Sequence, residues 1–117
     1  MGYIKKVSKE PSFIQDGLNG FSSNINNENI SIDIIEVYKG HEKYCTNKIS
    51  SYIYYVLEGN GKFKINGELY DVEMGDIIEI PKNTEFIYIG KMKLLLIMSP
   101  AFQANNNVEG KNNDLYN

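Results

Sequence analysis

The chain has 117 residues, 42% of them hydrophobic, and a net charge of −3. That length suits one domain able to bury roughly two thirds of its unfolded surface, and the composition excludes a disordered chain. All twelve basic residues are lysine and no basic run occurs, so the footprint of a nucleic-acid binder is missing and no guanidinium clamp exists for phosphate or carboxylate.

Cys45 is the only cysteine. It can form no intrachain disulfide, which fits a reducing cytoplasm. The opening segment MGYIKKVSKEPSF has no apolar core of a signal peptide, and no stretch reaches membrane-span length. A cytoplasmic protein with no membrane partner is expected.

Residues 1–28 read as a loosely packed N-terminal arm. Gly17, Gly20 and the run SSNINNE are turn chemistry, with a short strand over Ile4–Val7. Asn29–Tyr38 (NISIDIIEVY) reads as the first strong strand. Gly40–Ile49 is polar and reads as a connection. Ser50–Leu57 (SSYIYYVL) is rich in branched and aromatic residues and reads as a strand. Glu58-Gly59-Asn60-Gly61 reads as a turn. Lys62–Ile65 and Glu68–Val72 flank Asn66-Gly67, the strongest short hairpin signal. Ile77–Ile80 follows a turn at Glu73–Asp76 and stops at Pro81, which cannot donate to a ladder. Glu85–Ile89 and Lys93–Met98 are the last strands, separated by Gly90-Lys91. The asparagine-rich segment 103–117 reads as a flexible C-terminal tail. Short strands, frequent turns and no helix predict an all-β, antiparallel sandwich or barrel spanning 29–102.

Two spaced motifs choose between those architectures. Gly40 to Gly59 reads G-x5-T-x-K-x3-Y-x6-G, and Gly75 to Gly90 reads G-x5-P-x-N-x2-F-x3-G. In these intervals the chain resembles the cupin superfamily, whose fold is an antiparallel jelly roll (a double-stranded β-helix). The resemblance places Thr46, Lys48, Tyr52 and Phe86 where the family carries its histidine and glutamate metal ligands. With a four-residue gap in the first motif, its histidine positions become Cys45 and Asn47. Phe86 has no donor atom, and Tyr52 and Lys48 would have to lose protons against pKa values near 10. No metal or other cofactor is expected.

The resemblance also implies which side chains face inward: Thr46, Lys48, Tyr52, Tyr54 and Val56 from one strand, opposed by Phe86 and Tyr88, with Ile78 and Ile80 deeper. Thr46, Lys48, Tyr52, Tyr54, Phe86 and Tyr88 are therefore the candidate ligand-binding residues, with Lys48 and Tyr52 as candidate catalytic groups. Alternatively the rings simply fill the space a metal leaves. The expected function is a metal-free cupin domain holding a small polar or aromatic molecule, sugar-like ligands first among them. A metal-independent sugar isomerase or epimerase working by acid–base chemistry is the alternative, and a metal-dependent cupin enzyme the third reading. His41, the only histidine, reads as a surface or loop residue. The resemblance also implies a homodimer, since small cupins often pair through sheet edges or faces and open edges invite pairing; the apolar run Leu94–Met98 reads either as a fully buried strand or as part of that interface.

Overall fold

The computed structural model describes residues 2–116. Nine strands build it: β1 (Phe13–Gln15), β2 (Leu18–Ser22), β3 (Ser31–Val37), β4 (Lys43–Asn47), β5 (Ser51–Ile65), β6 (Glu68–Glu73), β7 (Ile77–Ile80), β8 (Phe86–Ser99) and β9 (Asn107–Asn112). A single 3-10 turn at Ala104–Asn106 precedes β9. Every pairing is antiparallel. The strands curl as one sheet in the order β1-β2-β3-β8-β4-β9, with β5 joining β8 to β6 and β7. This is the antiparallel jelly roll that the motif spacing implies. Among the described residues no helix is long and apolar enough to cross a membrane.

Period-two alternation decides what enters the core. Along β5, Tyr52, Tyr54 and Val56 are buried while Ile53, Tyr55 and Leu57 are less so. Val56, Phe63, Ile80, Phe86 and Leu94 are completely shielded from solvent. Asn66 and Gly67 both take positive φ, 50° and 85°, the conformation of a tight two-residue hairpin between β5 and β6. The Asp76 carboxylate accepts the Glu73 backbone N–H at 2.8 Å and ties the turn before β7.

Several expectations are corrected by this geometry. The segment 58–61 is not a turn but part of β5, whose ladder with β8 runs from Ser51↔Ser99 to Ile65↔Phe86. A bulge between Val56 and Glu58 bends the strand without ending it. Gly59 is needed there: its φ is +83°, and a Cβ would collide with the Lys91 carbonyl oxygen. Gly90-Lys91 likewise continues β8 instead of separating two strands. The polar stretch 43–47, read as a connection, is β4, because it sits between two strands and its backbone pairs with both β8 and β9.

Both ends of the chain are also more ordered in the sheet than their composition suggests. Within the expected arm, β1 and β2 extend the sheet from β3, anchored by Leu18 at 1% exposure. The expected strand at Ile4–Val7 reduces to one bridge, Val7 to Ser23. The expected flexible tail contributes β9 to the open edge of β4. Backbone pairing asks nothing apolar of a strand, so an asparagine-rich segment can still complete a ladder. Leu94–Met98 is not wholly buried: Leu94, Leu96 and Met98 point inward, and Leu95 and Ile97 outward.

Gly59→Ala should cost more than about 3 kcal/mol, since left-handed strain adds to the collision with Lys91. Gly67→Ala, with the same strain but open space around it, should cost about 1–2 kcal/mol. Urea unfolding of the two variants checks the ordering; equal costs would show that β5 and β8 are not held together at Gly59.

Candidate functional site

Between the curled halves of the sheet lies a cavity of about 440 Å³, within the range that holds a small organic ligand. Each wall comes from a different strand. Tyr52 and Tyr54 project from β5, Tyr88 from β8, Cys45 from β4, Gln15 from β1 and Asn107 from the 3-10 turn's exit into β9. His41 enters from the segment just before β4.

His41 is held from every side. Its backbone N–H donates to the Tyr88 carbonyl at 3.0 Å. The Asn113 side-chain amide donates to the carbonyls of both His41 (2.8 Å) and Tyr88 (3.2 Å). The imidazole lies edge-on to the Tyr88 ring, 5.5 Å between centroids. Nδ1 is 2.6 Å from the Lys43 carbonyl oxygen. A carbonyl only accepts, so Nδ1 carries the proton and Nε2 keeps its lone pair. The Gln15 side-chain carbonyl accepts the Glu42 backbone N–H at 3.1 Å, which turns the Gln15 NH2 group toward His41 Nε2, 3.4 Å away. Burial lowers the His41 pKa from its ordinary 6.5, opposed by the Lys43 carbonyl and by the charges of Glu109 and Glu42. The ring is thus a neutral imidazole with its basic nitrogen in the cavity wall.

The hydroxyl groups opposite are kept as proton donors. Tyr54 and Tyr88 are 2% and 1% exposed, and their rings meet edge to face at 5.6 Å. Burial raises both pKa values well above 10. Tyr52 stacks on Tyr54 at 6.0 Å, and its hydroxyl donates to Asn107 Oδ1 at 2.9 Å. Burial pushes the Cys45 thiol up to about 12, against a hydrogen bond with Tyr52 that lowers it. Cys45 therefore sits in the wall as an unreactive thiol.

Of the residues expected to face a ligand, Tyr52, Tyr54 and Tyr88 line the cavity, while Thr46, Lys48 and Phe86 do not. Lys48 is exposed and Thr46 half-buried. The four-residue gap describes the local register better, since Cys45 and Asn47 are buried while Thr46 is half-buried and Lys48 exposed. Phe86 is fully buried in the core, edge-on to Tyr52 at 4.8 Å. His41, Gln15 and Asn107 were not among the expected site residues. The one signal available for His41 was its place directly after Gly40, the glycine that opens the first motif.

The donor set does not fit the metal of the fold family. Among the described residues no three or more His, Cys, Asp or Glu side chains converge on a point. Where the family carries its nitrogen and carboxylate donors, this chain offers a phenyl ring, a phenol and a thiol.

The sequence profile of the Cupin domain family matches residues 49–98. No curated protein matches the chain. Among solved structures, Pac13, described as a unique nucleoside dehydratase, is similar at 28% identity and a TM-score of 0.89, covering 96% of this chain and 93% of its own. Streptomyces PAC13 variants with uridine, carrying a histidine-to-glutamine or a tyrosine-to-phenylalanine substitution, match at 27% identity, the same coverage and the same TM-score. KdgF from Halomonas sp. shares the fold at 14% identity and a TM-score of 0.70, over 82% of this chain and 89% of its own. The chain thus has the fold of the small cupins, with the Cupin domain profile matching its central residues 49–98.

Proposed function

We propose that the protein is a metal-independent dehydratase acting on a nucleoside-like substrate, with His41 as general base and Tyr54 and Tyr88 as the hydroxyl pair opposite it. The observation that carries this reading is the meeting of these three side chains in one ligand-sized cavity. His41, Tyr54 and Tyr88 stand thirteen and then thirty-four positions apart. The substituted histidine and two tyrosines of the Streptomyces nucleoside dehydratase are spaced by the same intervals. The identities around them, 27–28% over nearly the whole chain, support a shared chemistry more strongly than the fold alone would.

Elimination of water needs a base for a C–H proton and an acid for the departing hydroxyl. Neutral His41 Nε2 takes the proton from a carbon acidified by a neighbouring carbonyl. The C–H electron pair becomes the new C=C bond as the C–O bond breaks. A tyrosine hydroxyl hydrogen-bonds the leaving oxygen, which takes up the proton held by the His41 imidazolium and departs as water, returning the ring to its neutral form. Nδ1–H, bonded to the Lys43 carbonyl, stabilises the imidazolium that forms, as a fixed dipole does in a dry site. Lys48, on the surface, has no part in this scheme. No lysine lines the cavity, so a phosphate on the ligand would find no countercharge, which favours a free nucleoside over a nucleotide. For oligomeric state, Ile34, Leu95, Tyr55 and Ile77 align across four strands on the outer sheet face, and Ile53 and Ile97 adjoin them. This row supports pairing of two copies face to face.

His41→Gln should lower turnover of keto- or aldehydo-nucleosides by about 10²–10⁴, and Tyr88→Phe by at least about tenfold, with the release of water followed by mass spectrometry. Retained activity in His41→Gln would remove the base from the scheme. Failure of every such substrate to lose water would remove the reaction.

The acid limb of the rate profile should inflect below pH 6.5, because the folded His41 pKa lies under its ordinary value. By the same sign, folding stability should be intact above pH 6.5 and decline as pH falls below it, since the unfolded chain takes up the proton first. His41→Gln should flatten part of that slope in urea titrations run across the range. Exposure to EDTA should leave both turnover and Tm unchanged, and a loss of either would reinstate a metal. Light scattering should report a dimer that Tyr55→Glu dissociates.

A further inference from the structure

Asn113 is buried and reaches the site from behind. It follows directly on β9, where Gly110 and Lys111 together stand opposite Tyr44 and shift the pairing with β4 by one residue. A bulge of this kind re-aims the chain beyond it, and here the Asn113 backbone N–H meets the Glu42 carbonyl at 2.9 Å. The side chain is fully committed. Nδ2, which carries two hydrogens, lies 2.8 Å from the His41 carbonyl oxygen and 3.2 Å from that of Tyr88. Oδ1 accepts the Leu115 backbone N–H at 2.9 Å, which fixes which way round the amide sits. The Tyr88 carbonyl also accepts the His41 backbone N–H at 3.0 Å. Gly40 permits that approach, since a Cβ there would lie 2.5 Å from the Tyr88 carbonyl oxygen. The backbones that carry the imidazole and the phenol are thus tied to each other and to one amide group. Asn113 itself does not line the cavity.

We propose that Asn113 is a positioning residue for the elimination: it sets the separation of the His41 base from the Tyr88 hydroxyl, and so the rate of the chemical step, without taking part in substrate binding. This rests on the dehydratase reading above and adds to it a residue that the reaction needs and the substrate never touches. Proton transfer is steep in distance, and a misplacement of about 1 Å can cost about a hundredfold in rate. The amide is specific to the task. Two carbonyl oxygens need two donors from one atom, and the Leu115 N–H needs an acceptor beside it, a combination that a carboxamide supplies. An ionised aspartate has the same shape but no donor, and would set a carboxylate against both carbonyls.

Steady-state kinetics of Asn113→Asp and Asn113→Ala with keto- or aldehydo-nucleosides, run below the lowest Tm of the set, test the assignment. Both variants should lose about tenfold to a hundredfold in kcat, with kcat/KM falling by the same factor and KM nearly unchanged, the signature of an interaction realised in the transition state alone. Tyr116→Phe removes the bond from the same segment to the Asp16 carbonyl and leaves the Asn113 contacts in place, so it should keep the original kcat. Full kcat in both Asn113 variants would overturn the positioning role while leaving the dehydratase reading standing. A rise in KM with kcat preserved would also overturn it, because Asn113 would then serve binding. So would an equal loss of kcat in Tyr116→Phe, since any loosening of the segment would then suffice. If the unmutated protein dehydrates no such nucleoside, the dehydratase reading fails and the positioning role with it. Should Asn113→Asp melt too low to study, Asn113→Ala, which adds no charge, carries the comparison.

Discussion

Everything in the site depends on one pair of strands staying paired through a bend. β5 and β8 are hydrogen-bonded to each other from Ser51↔Ser99 to Ile65↔Phe86, yet each changes its other neighbour midway. β5 passes from β7 to β6. β8 leaves the β3 side for β4, joined to it through Cys45↔Phe86. Because the two strands turn together, Tyr54 from the first half of β5 and Tyr88 from the first half of β8 meet across the interior instead of side by side. Gly59 and the bulge beside it make the bend sterically possible.

The second constraint is dryness. With rings where the fold family carries ion ligands, the interior has no fixed charge at its centre and a low effective dielectric. That environment holds imidazole, phenols and thiol in their neutral forms, as the directions of their pKa displacements show. A neutral histidine can accept a proton and a neutral tyrosine can donate one, so this desolvation leaves the groups of the proposed reaction in the protonation states it would need. Two asparagines brought by the C-terminal segment finish the arrangement: Asn113 joins the backbones under His41 and Tyr88, and Asn107 receives the Tyr52 hydroxyl.

The barrel was readable because its signals are local. Alternating β-branched and aromatic runs, the Asn66-Gly67 hairpin and the interval between motif glycines each depend on a few adjacent residues. Tyr52, Tyr54 and Tyr88 followed from alternation along strands whose register those motifs fix. Lys48 and Thr46 were misplaced because β4 sits one residue out of step with the five-residue spacing, and a single step moves every side chain to the other face. His41, Gln15 and Asn113 were not readable for a different reason. Their importance lies in contacts across 26 to 72 positions of sequence, and no periodicity or dipeptide announces a backbone carbonyl waiting at such a distance. The segments at either end were misjudged because asparagine and serine, which loosen a chain when alone, become ladder and clasp residues once an open edge receives them.

One detail of composition gives the protein an unusual experimental transparency. The sequence contains a single histidine, and it stands in the cavity wall. A nitrogen-edited magnetic resonance spectrum of imidazole groups would therefore contain one ring system, whose shifts report which nitrogen bears hydrogen and whether the chamber is filled, without selective labelling or assignment.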